Sequence, residues 1–176
     1  MPMRPKHLLS AICALGLLWP IDALAEELRI PGLAPPEPEF ETLELPACAN
    51  TRDETNCART LACIGRQGLW FDGQARGWNE GVLFGQMAYG GVCAGEWAYD
   101  GPFNSATASL QCDDGLSANV LYYAQDPETG TGRARGFDSK GRMVRAWTGR
   151  NVLAFLTPDG GDAPELPCTD APIPMS

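Results

Sequence analysis

The chain has 176 residues, of which 44% are hydrophobic and 20% are charged, and its formal net charge is −9 at pH 7. An acidic protein repels nucleic acid and anionic membrane surfaces, so we expect neither as a partner.

Residues 1–25 have the features of a signal peptide. Arg4 and Lys6 precede the apolar run LLSAICALGLLW, which is short for a membrane span, and Ala-Leu-Ala at 23–25 is a small-x-small cleavage pattern. We expect cleavage before Glu26 and export of the mature chain, with no membrane anchor, to the periplasm or the medium.

The mature chain is poor in the side chains that most enzymes use. The only histidine of the full chain, His7, lies in the predicted signal peptide, so the mature chain cannot form a Ser-His-Asp triad, a Cys-His pair or a histidine-ligated metal site. Carboxylate chemistry at Asp113 and Asp114 is the alternative, but Asp-Asp-Gly is also a common turn sequence. We therefore predict a non-catalytic protein without a cofactor or a metal.

Six cysteines follow the predicted signal peptide. An even number in an exported chain predicts three disulfides. A zinc site is the alternative, but the sequence has no C-x-x-C pair. The six are Cys48, Cys57, Cys63, Cys93, Cys112 and Cys168.

Composition divides the mature chain into three parts. Residues 26–47 are acidic and rich in proline, which predicts a disordered leader. Residues 157–176 have the same character and form a predicted tail that Cys168 tethers. Between the leader and the tail, residues 48–156 form one predicted domain.

The predicted domain has the pattern of an all-β fold. Turn sequences recur about every ten residues, which indicates an antiparallel meander of about eight strands closing as a barrel or a sandwich. The clearest strand is 105–112, where apolar and polar residues alternate. A short helix is possible over 54–64, because Cys57, Leu61 and Ile64 would share one helical face.

One disulfide can be predicted from strand register. If a turn at Pro102 and Phe103 joins two strands, Cys93 lies opposite Cys112, and directly opposed residues can have the separation that a disulfide requires. We predict this pairing and leave the pairing of the other four cysteines open.

The stretch GTGRARG, residues 130–136, is close to a dinucleotide-binding loop in its glycine spacing. That loop requires G-x-G-x-x-G between a strand and a helix, and here the third glycine is one residue too far. Ser-Lys-Gly at 139–141 suits a hairpin loop with glycine in the left-handed region, and residues 127–130 suit another. We expect 131–137 to be the middle of three strands, with glycines that serve turns and packing.

These hairpins predict a basic and aromatic face. The hairpin with its loop at 139–141 places Arg135 opposite Arg145. Like charges across a strand pair are unfavourable unless a carboxylate or phosphate offsets them. The hairpin with its loop at 127–130 places Tyr122 opposite Arg135. The predicted binding residues are Tyr122, Arg133, Arg135, Arg145 and Trp147.

We expect an exported binding or inhibitor-like module whose arginines and aromatic side chains meet an acidic partner in the cell envelope, a protein or a glycan. A carbohydrate-binding module that stacks sugars on Trp70, Phe71 and Trp78 is the alternative. A simpler account gives the arginines no function: they extend into solvent, or the acidic leader lies across them.

Overall fold

The structure is a computed structural model, and it describes residues 45–49, 51–66, 68–100, 105–170 and 173. All of these belong to the compact unit Pro38–Ser176. The predicted signal peptide and all of the predicted leader before residue 45 lie outside the described residues, so both stay predictions.

Eight antiparallel strands form a closed barrel in chain order. Each strand pairs with the next one, and β8 pairs with β1 to close the barrel. The predicted all-β meander of about eight strands is therefore confirmed, as a barrel. The elements are β1 (Cys57–Ile64), β2 (Trp70–Trp78), β3 (Glu80–Met87), β4 (Val92–Ala98), β5 (Ala106–Cys112), β6 (Ser117–Gln125), β7 (Gly132–Asp138), β8 (Met143–Gly149) and the short helix α1 (Val152–Leu156).

The helix predicted over 54–64 is wrong, because most of this segment is β1. Thr60, Ala62 and Ile64 lie on one side of the strand and are buried, and Leu61 and Cys63 on the other side are buried too. A strand that is covered on both faces loses the alternation of apolar and polar residues that identifies strands.

Large side chains fill the barrel interior at one end. An eight-stranded barrel is just wide enough for its own side chains to fill. At this end the strands join through the short turns after β1, β3, β5 and β7, and the Cys93–Cys112 disulfide lies there. The large residues of the buried core at this end are Ile64, Phe71, Met87, Leu116 and Val144.

A second apolar cluster covers part of the outside of the barrel. Here α1 and the tail pack against β1, and the Cys63–Cys168 disulfide ties the tail to that strand. Among the described residues, α1 included, no helix is long and apolar enough to cross a membrane. The buried members of the cluster are Leu61, Cys63, Val152, Leu156, Leu166, Cys168 and Ile173.

The glycines of GTGRARG have the turn and packing roles that the sequence predicts. Gly130 ends the β6–β7 loop with φ 69°, and this loop is closed by the Asp126 N–H, which donates to the Thr131 carbonyl over 2.8 Å. Gly136 lies within β7, where an added Cβ would be 1.8 Å from the Asn119 carbonyl oxygen. Close contact between neighbouring strands therefore requires glycine at this position.

The predicted Cys93–Cys112 disulfide is confirmed, together with the register that led to it. The two cysteines are paired across β4 and β5, and Trp97 lies opposite Ala108 in the same ladder. The four cysteines whose pairing the sequence left open form Cys48–Cys57 and Cys63–Cys168.

Loop length predicts which of these two disulfides contributes more to stability. Cys63 and Cys168 are 105 residues apart and Cys48 and Cys57 only 9. By restricting the unfolded chain, the Cys63–Cys168 disulfide should stabilise the fold by about 4.7 kcal/mol and the Cys48–Cys57 disulfide by about 2.6 kcal/mol. We expect Cys63→Ala/Cys168→Ala to lower the free energy of unfolding in urea more than Cys48→Ala/Cys57→Ala. The reverse order would show that local contacts outweigh loop entropy.

Candidate functional site

Strands β7 and β8 carry the arginines of the predicted site to the outside of the barrel. Arg135 lies opposite Arg145, and Arg133 lies opposite Trp147, as the hairpin register predicts. Between them, Ala134 and Ala146 are buried against the barrel core. Alternation along each strand therefore separates an inner alanine row from an outer basic and aromatic row.

The predicted position of Tyr122 on this outer face is wrong. The pairing between β6 and β7 begins as predicted at Asp126 and Thr131, but the register shifts by one residue between Tyr122 and Ala124. Beyond the shift Tyr122 lies opposite Ala134, and Leu121 lies opposite Arg135. A shift of one residue exchanges the two faces of a strand, so Tyr122 is in the lumen.

The surroundings of Tyr122 agree with a position inside the barrel. Its side chain packs against the barrel core, and its hydroxyl is 2.6 Å from Thr148 Oγ1. Burial raises the pKa of the Tyr122 phenol, and the hydrogen bond with Thr148 offsets part of that rise.

Tyr123 takes the place on the outer face that the sequence assigned to Tyr122. The guanidinium carbons of Arg135 and Arg133 lie 5.4 and 5.9 Å from the centre of the Tyr123 ring. On the next strand, the guanidinium carbon of Arg145 lies 5.9 Å from the Trp147 ring. These are cation–π distances. We call this set the arginine face: Tyr123, Arg133, Arg135, Arg145 and Trp147.

Among the described residues, no ion pair neutralises the positive charges of the arginine face. Within the described ranges, none of its three arginines forms a salt bridge, whereas Arg59 pairs with Asp72 on another part of the wall. Arg133 Nε is buried without a hydrogen-bond partner there. Arg133 makes only a minor contribution to the lowered pKa of Asp126, which chiefly reflects hydrogen bonds from Thr129. The face therefore presents guanidinium N–H groups that can donate to a carboxylate or phosphate.

Exposed apolar side chains surround the arginine face. Leu121, Phe137 and Met143 are 38%, 61% and 52% exposed, and Tyr123 within the face is 50% exposed. Phe137 and Met143 lie opposite each other on β7 and β8, next to Arg135 and Arg145. Aromatic residues, methionine and arginine are enriched in protein–protein interfaces, so this surface has the composition of one.

The predicted sugar-stacking residues are not brought together. Trp70 and Trp78 lie at opposite ends of β2, about 26 Å apart from the rise of an extended strand. Trp70 packs against the outer cluster, Trp78 is exposed, and Phe71 is buried in the barrel core. These three residues therefore do not form one stacking platform.

Of the adjacent carboxylates at 113 and 114, that of Asp114 stabilises a turn. Asp114 accepts a hydrogen bond from the Leu116 N–H over 2.9 Å and another from the Tyr89 hydroxyl. The Tyr89 hydrogen bond, followed by that from Leu116, lowers the pKa of the Asp114 carboxyl, the opposite of what a general acid needs. In the part of the chain that the structure describes, no three His, Cys, Asp or Glu side chains are grouped to hold a metal ion.

Comparisons with known proteins add no functional assignment. No family model matches the sequence, and no curated protein matches it. A de novo designed fluorescence-activating β-barrel is similar to this chain, with 17% sequence identity and a TM-score of 0.41, over 53% of this chain and 90% of the design. At that similarity the design carries no argument about this protein.

The position of Tyr122 in the lumen can be tested by titration. Because burial raises the pKa of Tyr122, we expect part of the tyrosinate absorbance to appear above the ordinary pKa of about 10. Tyr122→Phe should reduce this late component. The fold favours the neutral phenol, so the stability that Tyr122 contributes is present below pH 10 and lost as the pH rises through its raised pKa.

Burial also raises the pKa of Tyr89, to about 12, so a late component from that residue remains in the variant. A late component that Tyr122→Phe leaves unchanged would contradict the position of this phenol in the lumen.

Proposed function

We propose that the protein is an exported, non-catalytic binding module whose arginine face docks an acidic protein partner. One observation carries the proposal: three outward arginines contact aromatic rings, and none has an ion pair within the described residues. Two of them, Arg135 and Arg145, lie directly opposite each other. A partner carboxylate would offset that repulsion.

The contacts with Tyr123 and Trp147 prepare the arginines for such a partner. A ring beneath a guanidinium restricts its orientation, so less conformational entropy is lost when it binds a carboxylate. The apolar surround of Leu121, Phe137 and Met143 would exclude water from these contacts. Charge and apolar contact therefore support the same surface.

Export to the periplasm or the medium is part of the proposal. Three intramolecular disulfides are what an oxidising compartment favours, and cytosolic chains rarely keep them. The sequence of residues 1–25 supports the same location.

A neutral sugar is a weaker candidate ligand for this surface. Sugars stack on open aromatic rings, and here guanidinium groups lie over Tyr123 and Trp147. The tryptophans proposed for stacking are at opposite ends of β2. A carbohydrate function would therefore need residues other than those that the sequence suggests.

The proposal can be tested by comparing two double variants of the mature chain. Arg135→Gln/Arg145→Gln removes two charges from the arginine face. Arg52→Gln/Arg66→Gln removes two exposed arginines elsewhere and serves as the control for net charge. Each immobilised protein is exposed to an envelope extract and washed at 20 mM and then about 300 mM salt, where the Debye length falls below about 8 Å.

We expect the wild type and the control to retain a common acidic protein at low salt and to release it at high salt. The face variant should not retain it, although its free energy of unfolding should stay within about 1 kcal/mol of the wild type, because loss of the repulsion offsets loss of the ring contacts. Equal retention by all three proteins would contradict the proposal.

The sequence suggests the acidic leader as an alternative occupant of the face, and a further variant distinguishes the leader from a separate partner. Neutralising the leader carboxylates, with glutamine at each position, should preserve or strengthen capture if a separate protein binds the arginines. Failure of both the wild type and this variant to capture any acidic protein would overturn the proposal. The substituted positions are Glu37, Glu39, Glu41 and Glu44.

A further inference from the structure

The barrel lumen is lined by small residues at the end opposite the Cys93–Cys112 disulfide. Three strands contribute four alanines to its wall there, where the other end has Phe71 and Met87. The result is an open cavity of about 1000 Å³. The alanines are Ala58, Ala75, Ala106 and Ala108, and the larger inner residues are Leu83, Trp97, Tyr122 and Thr148.

A cavity of this kind is what an eight-stranded barrel has when its own side chains do not fill it. Barrels of eight strands are filled by their own side chains or hold one small ligand. Trp97 and Ala108 are cross-strand partners, so the largest inner side chain faces one of the smallest. Ligand pockets have volumes of about 300–1,000 Å³, so the space is sufficient for a small molecule.

The chemistry of the inner wall selects a neutral ligand. Arg52, Glu128 and Arg150 border the cavity, but all three are at exposed positions of its rim. None of the described inner wall residues is charged. An ionised group deep in the lumen would lose its hydration without gaining a partner charge, which is strongly unfavourable.

Two aromatic side chains provide the flat surfaces of the cavity. The Trp97 indole N–H donates to the Arg76 carbonyl over 3.1 Å, which fixes the ring in the wall. Tyr122 is fixed by its hydrogen bond with Thr148. Rings held in this way can stack on a planar ligand with little loss of side-chain entropy.

A chain of three hydroxyl groups lies beside these rings. Thr148 Oγ1 is 2.6 Å from the Tyr122 hydroxyl and 2.9 Å from Thr60 Oγ1. Three hydroxyl protons serve two hydrogen bonds, so within the described residues one proton has no acceptor. An acceptor on a ligand would complete the chain.

We infer that the open half of the lumen binds a small, neutral, planar aromatic molecule that carries a carbonyl or a similar hydrogen-bond acceptor. The ring of the ligand lies among the four alanines and against Trp97, and its acceptor receives the spare proton of the hydroxyl chain at Tyr122 and Thr148. This site is inside the barrel wall and uses none of the three arginines of the arginine face, although Tyr123 of that face also borders the cavity.

Prodan, a neutral naphthalene ketone whose emission depends on solvent polarity, is a suitable probe. We expect its emission to shift to the blue and to increase on titration with the mature protein, while tryptophan fluorescence falls. Thr148→Val, which interrupts the hydroxyl chain, should weaken binding by up to about tenfold, the effect of one hydrogen bond. Ala108→Leu, which adds bulk opposite Trp97, should abolish binding.

Two further variants keep the test decisive. Arg135→Gln/Arg145→Gln should bind prodan as the wild type does, because both residues are outside the lumen. Phe137→Ser should also bind it, because Phe137 is the most exposed apolar residue beside the arginine face. If Ala108→Leu fails to fold by circular dichroism, Ala106→Val is used in its place and should also weaken binding.

The inference is overturned by either of two results. One is the absence of any blue shift with wild-type protein. The other is a blue shift that Phe137→Ser removes and that Ala108→Leu and Thr148→Val leave unchanged, because the probe would then be on the outer surface.

Discussion

The register shift in β6 is the constraint on which both proposed sites depend. Side chains alternate between the two sides of a barrel wall, so one additional residue reverses every assignment beyond it. The shift between Tyr122 and Ala124 places Tyr122 in the lumen and leaves Tyr123 outside, against Arg133 and Arg135. Without it, the two tyrosines would exchange sides, with Tyr122 outside opposite Arg135 and Tyr123 in the lumen. Bulges that redirect a side chain are common near functional sites of barrels.

The arginine face exists at a cost that the rest of the fold offsets. Opposed arginines on neighbouring strands repel each other, and their contacts with Tyr123 and Trp147 are of similar magnitude to that repulsion. The rest of the fold provides the stability that this repulsion requires. The sources are the closure of the barrel by β1 and β8, the filled end of the lumen and the three disulfides. Similarly, the alanines at the open end give up core packing that larger residues would supply.

The sequence predicted those features of the fold that local residues determine. Glycine in the left-handed region identified two hairpin loops, and these placed Arg135 opposite Arg145. The sequence could not predict the shift in β6, because the two faces of this strand are equally apolar. One face has Leu121 and Tyr123, and the other has Val120 and Tyr122. The pairing of Cys63 with Cys168 spans 105 residues and leaves no local pattern. The only sign in the sequence of the ambiguity in β6 is that Tyr122 and Tyr123 are adjacent, so that either of them could lie beside the arginines on the outside of the barrel.

The most direct test of the arginine face is nuclear magnetic resonance of the arginine side chains while the purified acidic partner is added. The account predicts that the Nε–Hε signals of Arg133, Arg135 and Arg145 shift at low salt and return toward their free positions at high salt, where exposed charges are screened. The chemical shift of the Trp78 indole N–H, at the C-terminal end of β2, should not change. Shifts confined to Trp78, with the three arginine signals unchanged at both salt concentrations, would contradict the account.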